Sequence, residues 1–205
     1  MNRKAFKTII NLKLAMTLPL LPLAVGFFGL GVGYFVYGGW EVSGYPPSSD
    51  ALNKSLAEWG IWMPGFMQFL TGLILWTYIA MFHVTPPNPL YMAAVAFTAY
   101  GIHWFALGLN KHFGGDARVD GYMAIAFLWI SIIGAIVFYS VRDYPVGILF
   151  TLLALVYISD IPASLLASRT WTRIKGVFHL ITGVWLMYLT FAAVADFALG
   201  WMLPL

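Results

Sequence analysis

The chain has 205 residues, of which 61% are hydrophobic, 18% aromatic and only 9% charged, against roughly 25% charged residues in a soluble globular domain. A water-soluble single domain is excluded, because too few polar residues remain to cover a core of this size, and the missing solvent is lipid. The formal charge of +3 comes mainly from Arg3, Lys4, Lys7 and Lys13, a juxtamembrane anchor rather than a nucleic-acid patch, and the absence of cysteine excludes disulfides, thiolate nucleophiles, iron–sulfur clusters and cysteine zinc sites.

Six stretches reach the ~20 apolar residues needed to cross a ~30 Å hydrocarbon core, at 14–37, 59–82, 90–110, 119–140, 145–168 and 176–202. Turn chemistry separates them: Gly38-Gly39 through Asp50, then Thr85 to Pro89, Gly114 to Asp116, Arg142 to Pro145, and Arg169 to Arg173. These predict an all-α, polytopic membrane protein with one six-helix domain over residues 1–205, residues 1–13 being its basic N-terminus. The first stretch is too long, and too glycine-rich at its centre, for a removable signal peptide. Three-plus-three symmetry stays open on helix count alone. Arg3, Lys4, Lys7, Lys13 and Arg142 fall on one side, and Lys54, Lys111, Arg118, Arg169, Arg173 and Lys175 on the other. The first helix, which usually dominates, favours a cytoplasmic N-terminus in a plasma or inner membrane. Trp40, Trp59, Trp62, Trp171 and Trp201 lie near the expected span ends, where indoles prefer the headgroup region.

In the first span, Gly26, Gly29, Gly31 and Gly33 superficially resemble a dinucleotide-binding pattern, but they lie mid-span with no preceding strand and no suitably placed acid. Gly29 and Gly33, four residues apart, predict close helix packing, or room for a narrow path beside Phe28. Pro19 and Pro22 predict a kinked start, or a discontinuous helix able to attract an anion.

Further along, Gln68 and Thr71 on the second span and Thr98, Tyr100, His103 and Asn110 on the third need partners in hydrocarbon. At 100° per residue, Tyr100, His103, Trp104 and Leu107 share one face. His103 is either a satisfied interhelical hydrogen bond or a proton-sensitive pathway residue. Glu58 is expected to begin the second helix and meet its N-terminal dipole, His179 to sit at the interface near Lys175, and His83 and His112 to occupy loops. The histidine spacing argues against a metal site, and no cofactor, enzyme activity or nucleic-acid partner is expected. Asp160, two residues before Pro162, marks a locally opened helix, either a proton or substrate stop or a polar helix end.

The segments Pro22-Leu23-Ala24-Val25-Gly26-Phe27-Phe28-Gly29-Leu30-Gly31 and Ala96-Phe97-Thr98-Ala99-Tyr100-Gly101-Ile102-His103-Trp104, with Gln68 and Gly72 between them, resemble the acetate uptake transporter family over nearly the whole chain. The resemblance implies a six-helix protomer with its own pore, assembled as a hexameric ring, that passes acetate and other small carboxylates with protons or as a channel. It implies a constriction of Phe28, Tyr100 and Leu152. The acid-gated urea and amide channels are distantly similar, so a small neutral solute is the alternative substrate. A third reading is a structural subunit of a larger hetero-complex without transport. Gln68, Thr98, His103, Trp104 and Asp160 stand as pathway-lining or proton-sensitive candidates, and membrane lipid is the surrounding partner.

Overall fold

The computed structural model describes residues 21–204. Six helices are long and apolar enough to cross a membrane, which makes this an integral membrane protein. They are α1 (Leu21–Ser43), α2 (Asp50–Met81), α3 (Leu90–His112), α4 (Arg118–Ser140), α5 (Tyr144–Leu165) and α6 (Arg169–Leu199). The positively charged stretch from Arg3 to Lys13 and the expected break at Pro19 lie outside the described residues.

Among the described residues, each helix packs substantially only on its neighbours in sequence, and α6 returns to pack along α1. The bundle is therefore a closed ring of six antiparallel helices around a common axis. The α2–α3, α1–α6 and α4–α5 pairs are the most intimate, and α3–α4 is the loosest. Close approach depends on glycine. A Cβ on Gly38 would sit 2.9 Å from the Gly176 carbonyl oxygen, and one on Gly29 would sit 2.5 Å from that of Met63. Gly33 likewise lies against the Pro64 ring. Without an apolar driving force between helices in lipid, such backbone proximity is what holds spans together.

Three boundaries differ from the sequence expectation. α1 continues through Gly38-Gly39 to Ser43, with Gly38 packed on the α6 backbone instead of breaking the helix. α2 starts at Asp50, where the Ser49 hydroxyl accepts from the Leu52 amide at 3.2 Å. Glu58 is thus interior to α2, and Asp50 occupies the first turn that favours an acid. α6 starts at Arg169, capped by Ser168, so the expected turn from Arg169 to Arg173 is helical. Within α2 the turn Ile61–Phe66 widens to a π-helix around Pro64, a local adjustment that absorbs the missing proline N–H.

Candidate functional site

Two cavities occupy opposite ends of the ring axis. The first, about 300 Å³, is lined by the N-terminal halves of α1, α3 and α5: Leu23, Phe27 and Leu30, then Leu90 to Tyr100, then Val146 to Leu153. Loop residues Val84, Asn88 and Asp143 edge its mouth. The second, about 570 Å³, is lined by the C-terminal halves of the same helices and the first turns of α4 and α6. Its mouth carries Gly114 to Arg118.

The wall between them is one helical turn, ~5.4 Å, thick. On α1 the lining changes from Leu30 to Tyr34, on α3 from Tyr100 to His103, and on α5 from Leu153 to Val156. Aromatic contacts close this layer: Tyr100 stacks on Tyr157 with ring centroids 6.0 Å apart, and Tyr34 lies 6.0 Å from Trp104. The Tyr100 hydroxyl meets Ser131 Oγ at 2.9 Å, and Ser131 in turn donates to the Phe127 carbonyl at 2.8 Å. Tyr100 is consequently the donor in that pair, which fixes its ring across the axis.

The sequence candidates divide among these places. Tyr100 and Gln68 line the first cavity, where Gln68 Oε1 is buried without a hydrogen-bond partner. His103, Trp104 and Asp160 line the second. Phe28 does not line either cavity; it is 43% exposed on the outer face of the bundle, and Leu152 is half-buried off the axis. Their sequence neighbours Phe27 and Leu153 face the first cavity with Tyr100. One residue of register turns a helical side chain by ~100°, which separates a wall residue from a lipid-facing one. Thr98 stands between α2 and α3, accepting from Trp76 Nε1 at 3.0 Å and donating to the Ala94 carbonyl at 2.8 Å.

The second cavity holds a buried ion cluster. From α6, Lys175 Nζ lies 3.0 Å from Glu41 Oε1 of α1 and 2.9 Å from Asp160 Oδ1 of α5. His179 Nδ1, one turn on, lies 2.6 Å from Glu41 Oε2, and Ser164 donates to Asp160 at 2.9 Å. His179 is buried here, not interfacial as expected, and Lys175 is a cation within the bundle. The Gly38–Gly176 contact brings the two backbones close enough for Glu41 to meet Lys175 and His179. A sequence signal existed: Tyr34, Tyr37 and Glu41 recur at i, i+3 and i+7 once α1 is continued, and Lys175 and His179 are four apart. At the mouth, the Arg118 guanidinium donates to Asp116 and holds its carboxyl down at about 2.

No protein-family model matches the sequence, and no curated protein matches it. Among solved structures, the bacterial acetate channel SatP matches with a TM-score of 0.71 over 90% of this chain and 97% of that one, at 18% identity. The fold of this chain is that of the acetate channel, the architecture that its resemblance to the acetate uptake transporter family implies.

Proposed function

We propose that the protein is a membrane channel for small monocarboxylates such as acetate, with its narrowest layer formed by Phe27, Leu30, Tyr100 and Leu153. The observation that carries this reading is the pair of cavities meeting end to end across one helical turn inside a closed six-helix ring. An apolar layer dehydrates what crosses it, so it passes a protonated acid in preference to a bare anion. The likeness to the acetate channel supports a carboxylate over other solutes. The reading includes the hexameric ring that the resemblance implies and a cytoplasmic N-terminus, which turns the charged cavity outward; crosslinking in native membranes tests the first and accessibility of an N-terminal tag the second. Stopped-flow flux into proteoliposomes, with acetate at pH 5 and pH 7, urea in the same preparation and empty liposomes as control, tests the function. Acetate influx above the control, faster in acid, supports it. Urea-only influx transfers the site to a neutral solute, and silence for both overturns transport.

A further inference from the structure

A neutral acid that crosses the apolar cavity has no need of the carboxylate on its rim. The cavity is blind at its inner end, where Tyr100 and Leu153 close it, and Asp143 at the mouth is the one charged residue in its lining among the described residues. Asp143 Oδ1 accepts from the Val146 amide at 3.1 Å, while Oδ2 accepts no hydrogen bond. The carboxylate has no ion-pair partner among the described residues. Its neighbour Arg142 is exposed and outside the lining. Tyr78, at the end of α2, lines the same cavity, its ring packed on Phe82 with centroids 4.6 Å apart. A carboxylate and an aromatic ring together favour an organic cation. They disfavour a fatty acid, whose own carboxylate would meet Asp143.

Below the rim the walls are aliphatic and aromatic. Phe27 pairs with Phe97, ring centroids 5.5 Å apart, and Phe138 stacks on Phe150 at 5.3 Å. All four rings line the cavity. The lining runs from Leu90 to Tyr100 on α3 and from Asp143 to Leu153 on α5. That is roughly ten residues on each helix, a depth of about 15 Å by helical rise. An extended hydrocarbon chain of about ten to twelve carbons has this length. At about 300 Å³ the cavity stands at the small end of ligand sites, sized for one chain.

We propose that the apolar cavity is a binding site for a single-chain alkylammonium ion, its tail along the two aromatic pairs and its ammonium donating to Asp143 Oδ2 beside the Tyr78 ring. The ion enters from the end opposite the buried ion cluster and fills the ring axis up to Tyr100, so it closes that end of the path to other solutes. The inference goes beyond the carboxylate-channel reading and holds whichever solute crosses.

The test is equilibrium binding of n-alkylammonium ions to the full chain in lipid nanodiscs, with empty nanodiscs as control, at about pH 8, where carboxylate and ammonium are both ionised. Affinity is expected to rise roughly fourfold with each added methylene, the usual gain on burial. It is expected to level off at about ten to twelve carbons, where the chain meets Tyr100. Partition into the bilayer keeps rising past that length and is shared by the empty discs. Asp143→Asn, which keeps the α5 cap, is expected to weaken every ammonium roughly tenfold and to leave n-alcohols of equal length unaffected. Ala96→Leu, which places bulk midway down the cavity, is expected to end the gain at shorter chains. Binding equal to that of empty nanodiscs, a rise that never levels off, or equal ammonium affinity in wild type and Asp143→Asn overturns the inference. Alcohols that bind as tightly as ammoniums overturn it too, the cavity then taking any apolar chain. If either variant fails to fold, the wild-type chain-length series and the comparison with alcohols decide. The assay involves no transport, so its failure leaves the channel reading standing, and silence for acetate in proteoliposomes overturns that reading alone.

Discussion

Both cavities are lined by α1, α3 and α5, yet one is nearly all apolar and the other holds a buried network of charge. On α1, α3 and α5 the change takes a single turn, from Leu30, Tyr100 and Leu153 to Tyr34, His103 and Val156. Polarity along a membrane axis is thus set turn by turn within each helix, not helix by helix. Among the described residues, the buried carboxylates sit where three helices converge: α1 supplies Glu41, α5 Asp160, and α6 both Lys175 and His179.

The sharpest way to break this contrast is to remove the one cation that both carboxylates share. Lys175→Met strands Glu41 and Asp160 and is expected to cost about 3–5 kcal/mol, the range for breaking a buried ion pair by deleting one partner. Neutralising both acids in the same background, with Glu41→Gln and Asp160→Asn, is expected to recover most of it. Thermal unfolding in detergent checks both. If Lys175→Met melts like wild type, the cluster does not hold the bundle together.

A smaller effect is expected in the layer between the cavities. Tyr100→Phe removes the donor to Ser131 and is expected to cost about 1 kcal/mol. It also frees the ring, so the same unfolding assay should be paired with influx, which is expected to rise. Influx that falls instead places Tyr100 as a group the permeant needs, not as a barrier.

The smallest effect lies at the rim of the apolar cavity. Asp143 caps α5, accepting from the Val146 amide at 3.1 Å. Burial raises its pKa above the ordinary carboxylate value, with the Val146 hydrogen bond acting in the opposite sense. A raised folded-state value means that its stabilising contribution is present below the unfolded pKa, near 3.9, and is lost as pH rises through the folded one. Asp143→Asn keeps the cap and removes that loss. The variant is expected to be more stable than wild type at neutral pH by a few tenths of a kcal/mol, the difference vanishing near pH 3. A gain that persists in acid contradicts this assignment.

The number of spans, their order and most connecting turns were legible because hydrophobic length and Gly/Pro punctuation survive any packing. Helix ends were less so. Asp50 to Glu58 is amphipathic and polar, so a search for apolar runs passes over it, and only the Ser49 cap marks its start. Gly38-Gly39 looks like a break until Gly176 is known to lie opposite. That misreading hid the cluster, since it placed Glu41 in a loop, while Lys175 was expected at the interface and Asp160 was left without partners. On the apolar side the expected Phe28 and Leu152 lie one residue from the Phe27 and Leu153 that line the cavity: adjacent Phe27 and Phe28 are chemically identical, and the rotation that chooses between them is set by packing on α2 and α6.

That choice also gives the most direct measurement. Acetate influx should be compared in Phe27→Ala and Phe28→Ala proteoliposomes prepared alongside wild type. With the permeation layer formed by Phe27, Leu30, Tyr100 and Leu153, Phe27→Ala is expected to raise influx and admit a larger monocarboxylate, while Phe28→Ala leaves influx at the wild-type value. Unchanged influx in Phe27→Ala together with a large change in Phe28→Ala would contradict a path along the ring axis.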